Sequence, residues 1–139
     1  MTLSFDTCIL IDILRARRPE LRDRLGALID QKALLSLCAV ALHELEYGAR
    51  ISARPHIQLR KLAELSAMFT VQPWTADDAI GAAHVRANLK TRGLPIDPYD
   101  VLIAGQALAR GWSIVTANMK DFGRIDGLTV IDWSSAGAA

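Results

Sequence analysis

Short apolar runs separated by amphipathic stretches predict an α/β protein built on a central parallel sheet. Three observations carry that prediction. Runs of strand length recur at 2–5, 33–37, 70–73, 112–116 and 128–131. The segments between them place apolar residues three and four positions apart, the spacing of a helix face. Finally, 139 residues with 51% hydrophobic and 22% charged side chains can close one core without metals or disulfides.

Taken in order, Thr2–Phe5 reads as the first strand and Thr7–Arg17 as the first helix. Pro19 opens a second helical run, Glu20–Gln31, with Leu21, Leu25, Leu28 and Ile29 on one side. Ala33–Leu37 is apolar and bounded, as a buried strand is. Ala39–Ile51 and Ile57–Met68 read as helices and Thr70–Pro73 as a short strand. Asp77–Lys90 is a helix whose first turn carries Asp77 and Asp78, where acids meet the positive end of the helix dipole. The loop from Thr91 to Ile96 leads into a helix, Pro98–Arg110, closed by Gly111. Trp112–Thr116 is a strand, Met119–Phe122 one helical turn and Leu128–Ile131 the last strand. Residues 1–133 are expected to form a single domain, and 134–139 a small polar, flexible tail.

Sixteen basic residues against fifteen acidic leave a formal charge of +1, which excludes a protein that grips nucleic acid by bulk charge. The start of the chain has neither the basic nor the apolar region of a signal peptide. Ala33–Leu42, the longest apolar stretch, is too short to span a bilayer. Cys8 and Cys38 have no metal-ligand spacing and no disulfide framework. A reduced, cytoplasmic protein without a membrane segment is the expectation. A mean hydropathy of +0.20 is high for a small monomer and suggests that a partner covers some apolar surface.

In an open parallel sheet the functional crevice lies beyond the carboxyl ends of the strands. Asp6 directly follows the first strand, and Asp121 follows the fourth by one turn. Asp100 stands in the first turn of its helix, and Glu44 lies within the third. Each has an ordinary explanation as a cap, a first-turn acid or a surface residue. Helical neighbours argue for more in two cases. Glu44 has Val40, Ala41, Tyr47 and Gly48 three and four positions away, none of them charged, whereas Glu46 is spaced to pair with Arg50. Asp100 heads a stripe of Ile103, Ala104, Ala107 and Leu108. An inward acid without a basic neighbour is costly unless it binds a cation or sits in a wet cleft. Asp97 precedes Pro98 and reads as a cap. Asp12 is spaced to pair with Arg15.

Carboxylates in such a cluster suit magnesium, a hard ion that takes oxygen ligands. His43, His56 and His84 occur singly, without zinc spacing. Four carboxylates with magnesium support phosphodiester hydrolysis.

Four sequence blocks point the same way. Phe5-Asp6-Thr7-Cys8-Ile9-Leu10 resembles the opening of PIN-domain nucleases, and Leu42-His43-Glu44-Leu45-Glu46-Tyr47-Gly48 resembles their Glu-x-x-Tyr-Gly helix. The block from Gly93 to Ala104 is similar to the one in which an aspartate precedes an Ile-Ala helix. Val115–Phe122 is similar to their Thr-x-Asn-x-x-Asp-Phe segment. The order and spacing resemble above all the VapC-type toxins of bacterial toxin–antitoxin pairs.

That resemblance implies a PIN-like three-layer sandwich and a magnesium-dependent endoribonuclease, with manganese able to substitute. It transfers catalytic and metal-binding roles to Asp6, Glu44, Asp100 and Asp121. Supporting roles around them fall to Thr7, Thr116 and Asn118. Cys8 stands where the family often has asparagine. A cognate antitoxin and a homodimer are also implied. The antitoxin would lay a helix in a groove walled by Ile9, Ile13, Val40 and Tyr47, and direct an arginine at the acids.

Arg86, Lys90 and Arg92 form a basic stretch suited to RNA phosphates; the competing account is a favourable interaction with a helix C-terminus. Trp74, Trp112 and Trp133 read as core or rim packing rather than a base-stacking platform. A receiver domain would need paired acids after the first strand, and position 8 is cysteine. The same residue excludes hydrolases that use Asp-x-Asp. The alternative that remains is a non-catalytic PIN-fold module that binds protein or RNA, which would be expected to have lost some of the four acids.

Overall fold

A computed structural model describes residues 1–135; the last four positions of the expected tail lie outside the described residues. In chain order the elements are β1 (Thr2–Phe5), α1 (Thr7–Leu14), α2 (Glu20–Asp30), β2 (Leu34–Cys38), α3 (Ala39–Arg50) and α4 (Pro55–Ser66). They continue with β3 (Thr70–Gln72), α5 (Ala76–Thr91), α6 (Pro98–Arg110), β4 (Ser113–Thr116), α7 (Met119–Phe122) and β5 (Val130–Asp132). The strands form one sheet in the order β3-β2-β1-β4-β5, every pair parallel, flanked by the helices. No described helix is long and apolar enough to cross a membrane.

Every predicted element is present, and the differences lie at the ends. The first helix stops three residues early, at Leu14, because Ala16 adopts a left-handed backbone (φ 51°) that only a glycine would have advertised. Lys32 (φ 60°) likewise ends α2 one residue short. In α4, Pro55 occupies the first position, two residues before the predicted start, where its missing N–H costs nothing. The last strand is shifted to Val130–Asp132 by its register with β4, in which Val115 faces Ile131.

Leu3, Phe5, Leu37, Ile114 and Val115 of the central strands are essentially inaccessible, as are Ile9, Leu10 and Ile13 of α1. Phe5 meets Phe69 and Trp133 edge-on, with ring centres 5.2 Å and 5.5 Å away. Trp133 is therefore a core residue, as the sequence suggested. The two marginal strands, β3 and β5, are only three residues long.

The strand order reverses at β1, which has β2 on one side and β4 on the other. A crevice opens at the carboxyl end of such a switch point. Phe5 pairs with Val115, so the next residues of the two chains, Asp6 and Thr116, emerge side by side.

Helices α5 and α6 approach closely enough at Gly81 and Gly105 to exclude a side chain at either position. A Cβ at Gly105 would stand 2.4–2.6 Å from atoms of Ala82, and one at Gly81 would stand 2.8 Å from the Gly105 carbonyl oxygen. A polar lock joins the same helices to β3. Asp78 is fully buried and accepts two hydrogen bonds from Arg110, at 2.9 and 3.1 Å, and one from Gln106 at 3.0 Å. Burial alone would raise its carboxyl; the bonds from Arg110, the Thr75 N–H and Gln106 prevail and hold it at about 2. Arg110 also lies over the Trp112 ring, 5.1 Å from its centre.

The glycine contacts predict a graded result in urea unfolding. Gly105→Ala should lose about 2–3 kcal/mol through overpacking. Gly111→Ala, where the backbone is left-handed (φ 70°) but the space is open, should lose only about 1 kcal/mol.

Candidate active site

Asp6 is the best-buried of the four candidate acids, at 1% exposure. It ends β1 and caps α1: the Ile9 N–H donates to its Oδ1 at 2.8 Å. Its other oxygen accepts a short hydrogen bond from the Thr116 hydroxyl across the β1–β4 boundary. That hydroxyl in turn accepts from the Asn118 N–H at 2.8 Å. Asn118 then caps α7, accepting from the Asp121 N–H at 3.3 Å and donating its side-chain amide to Asp121 Oδ2 at 3.0 Å. One hydrogen-bonded chain thus runs from α1 through Asp6, Thr116 and Asn118 to Asp121.

Glu44 comes from α3 and is half-buried. The hydroxyl of Thr7 donates to its Oε1 at 2.7 Å, joining the start of α1 to the middle of α3. Asp100 enters from the first turn of α6. Its N–H is capped at 3.4 Å by Asp97, which also accepts from the Tyr99 N–H at 2.9 Å. Asp97 therefore serves the helix start, as its proline neighbour indicated. Glu46 pairs outward with Arg50 at 3.3 Å.

The charges of these acids reach one another. Burial raises the Asp100 carboxyl to about 7, and Asp6, Asp97, Glu44 and Asp121 all add to the rise. Asp6 is raised to about 6, again chiefly by burial, against the lowering bonds from Thr116 and the Ile9 N–H; Asp12 and Glu44 push it further up. Burial and then Asp6, Asp100, Asp12 and Glu44 lift the Cys8 thiol to about 11. Cys8 thus stands among the acids as a neutral thiol.

Among the described residues, no Lys, Arg or His lies within ion-pairing distance of Asp6, Glu44 or Asp100. Asp121 has Arg124 at 3.8 Å. The donor set is all hard oxygen, with three of its four carboxyls lacking a cationic partner, and so chemically fits magnesium. It is not gathered into a finished cage: among the described residues no three His, Cys, Asp or Glu side chains group closely enough to hold a metal as they stand. Asp6, Glu44 and Asp121 are each turned toward their own hydrogen-bond partner.

The expected groove needs correction. Ile9 and Ile13 cannot wall a groove, because both are fully buried against the core. The exposed face of α1 lies further round the helix. A cavity of about 190 Å³ is lined by Ile11 and Leu14 of α1, Glu44, Leu45 and Ala49 of α3, and Leu62 of α4. Asp12 forms no ion pair with Arg15 among the described residues and instead adds its field to Asp6. Arg92 is engaged in tying the end of α5 to the segment after α7, through Asn88, the Arg124 carbonyl and Asp126. Arg86 flanks a cavity with Trp74, Ala83 and Pro98 that contains none of the four acids, and Lys90 lies exposed in the last turn of α5. Sequence reasoning missed Tyr99, whose ring stands beside that of His43 in a cavity that Glu44 also lines; only its position next to Asp100 in the sequence could have flagged it.

Comparison with known proteins identifies the family. The PIN domain pattern matches residues 4–128. The tRNA(fMet)-specific endonuclease VapC of Salmonella typhimurium is 31% identical over 131 residues, 94% of this chain and 96% of the relative. That of Shigella flexneri is 33% identical over 129 residues, 93% and 96% of the two chains. The crystal structure of VapBC2 from Rickettsia felis, bound to a DNA fragment from its promoter, superposes with a TM-score of 0.90 at 26% identity. That match covers 96% of this chain and 99% of the other. A match over most of the length in both sequence and fold places this chain in the PIN domain family, among the VapC ribonucleases.

Proposed function

We propose that the chain is a magnesium-dependent endoribonuclease, working at Asp6, Glu44, Asp100 and Asp121 as the toxin of a toxin–antitoxin pair. The observation that carries this reading is the mutual field of the four acids at the sheet's switch point, three of them without a cationic partner. Magnesium, or manganese in its place, would supply positive charge for the scissile phosphate and lower the pKa of a bound water.

The chain's own residues prepare the site. Thr116 and the Ile9 N–H fix both oxygens of Asp6 before any ion arrives. Thr7 occupies one oxygen of Glu44 and leaves the other open to the crevice. Asn118 orients Asp121. Asp100 is the least restrained and the most strongly raised of the four, and a bound cation would favour its ionised form. The Salmonella and Shigella relatives are tRNA(fMet)-specific, which makes a tRNA the first substrate to try on this chain.

The partner in this reading is a small antitoxin. Its apolar helix would lie in the cavity lined by Ile11, Leu14, Leu45 and Leu62, which ends at Glu44. An arginine carried by that helix would replace the cation's charge. A homodimer belongs to the same reading.

Three measurements test it. RNA cleavage should require magnesium or manganese and stop in EDTA; Asp6→Asn and Asp100→Asn should each reduce it at least a hundredfold with the fold retained, and Glu46→Gln should stay within about twofold. Cleavage that persists in excess EDTA refutes the metal mechanism.

The second measurement is melting in EDTA against pH. Asp6 and Asp100 are raised in the folded state, so folding favours their protonated forms. Their contribution is fully present below about pH 4 and is lost as pH rises through about 6 and 7. Asp78, depressed to about 2, acts in the opposite sense and only below about pH 4. The melting temperature should therefore fall between pH 4.5 and 7.5, fall less in Asp100→Asn, and recover on adding magnesium.

Third, expression of this chain alone should arrest growth, and co-expression with the adjacent reading frame's product should restore it. Arrest that continues beside a bound partner counts against neutralisation.

A further inference from the structure

The acidic crevice has an aromatic margin. His43 immediately precedes Glu44 on α3 and Tyr47 stands three residues after it, while Tyr99 immediately precedes Asp100 on α6. His43, Glu44, Tyr47 and Tyr99 together line an open cavity of about 440 Å³. That volume falls within the roughly 300–1,000 Å³ typical of small-ligand sites. Tyr47 is 60% and Tyr99 43% exposed, and the His43 and Tyr99 rings lie 5.9 Å apart at a 36° tilt. Neither tyrosine hydroxyl is hydrogen-bonded among the described residues. Rings this exposed gain little from the fold, so packing does not explain them.

We propose that this cavity takes one unstacked nucleobase of single-stranded RNA, from the nucleotide next to the phosphate held at the acids. The inference rests on the ribonuclease reading above and adds a subsite to it. Aromatic faces accept any base by stacking. Glu44 on the cavity wall repels a phosphate but not an uncharged base, so the base enters and the backbone stays toward the cation. RNA whose bases are already splayed out meets that requirement, whereas a paired helix does not. The two tyrosines therefore select for loops and single strands.

The test compares wild type with Tyr47→Ala, Tyr99→Ala and the corresponding Phe variants on a mixed-sequence single-stranded RNA. Cleavage is followed in magnesium, and binding by fluorescence polarisation in EDTA. Each alanine should raise KM and weaken binding by about tenfold with kcat within about threefold, and each phenylalanine should restore wild-type values. Removing the base on one side of the mapped cleavage point should weaken wild type by a similar factor and leave Tyr99→Ala unaffected. RNA binding that depends on the rings, without any cleavage in magnesium, supports the subsite and removes the nuclease reading. Alanine variants that bind and cleave as wild type does overturn the subsite. So do variants that lose only their hold on the antitoxin, which would assign the rings to the protein partner.

Discussion

The hydrogen bond from Thr116 to Asp6 is the point on which the site turns. It crosses between β1 and β4, where the strand order reverses, and it exists because the parallel register sets Phe5 against Val115. A carboxylate at 1% exposure is tolerable only with partners, and Asp6 has two, one from the neighbouring strand and one from the start of its own helix. Asn118 and Asp121 are fixed from the other side of the same hydroxyl. Loss of that register would separate the first acid from the last.

The price of the arrangement is charge held without compensation. The fold meets that cost elsewhere, in apolar strands at the centre of the sheet and in the α5–α6 pair. The second consists of two helices in glycine-mediated contact, with Asp78 ion-paired to Arg110 and hydrogen-bonded by Gln106. The contrast between the acids is instructive. Asp78 is given a guanidinium and falls to about 2, whereas Asp6 and Asp100 are given none and rise. Burial is common to all three, and the partner decides the sign.

Much of this was legible in the sequence. All twelve elements could be read from periodicity and punctuation, and Pro98–Arg110 was bounded to the residue because proline opens it and Gly111 closes it. The inward turn of Glu44 and the outward turn of Glu46 followed from helical spacing alone. What escaped were features set by long-range packing. Ala16 ends a helix with no glycine to announce it. Ile9 and Ile13 were placed on a groove because the sequence gives the period of α1 but not its rotation against the sheet. Tyr99 was overlooked because a first-turn aromatic has no distinctive local signature, and its neighbours His43 and Glu44 come from a helix more than fifty residues away in sequence.

The acids that supply the charge also hold the backbone: Asp6 caps α1, and Asp121 closes the turn with Asn118. Short polar residues serve about equally well as helix caps, whereas alanine does not. A descendant that lost its chemistry would therefore remain under pressure at position 6 to keep a serine or asparagine, while position 100, whose side chain caps no helix, would be free to drift. Retired copies of this domain should thus diverge asymmetrically, conserving an amide or hydroxyl where an acid once stood. The same dual duty leaves few routes by which such a lineage could later regain a different activity at the end of β1.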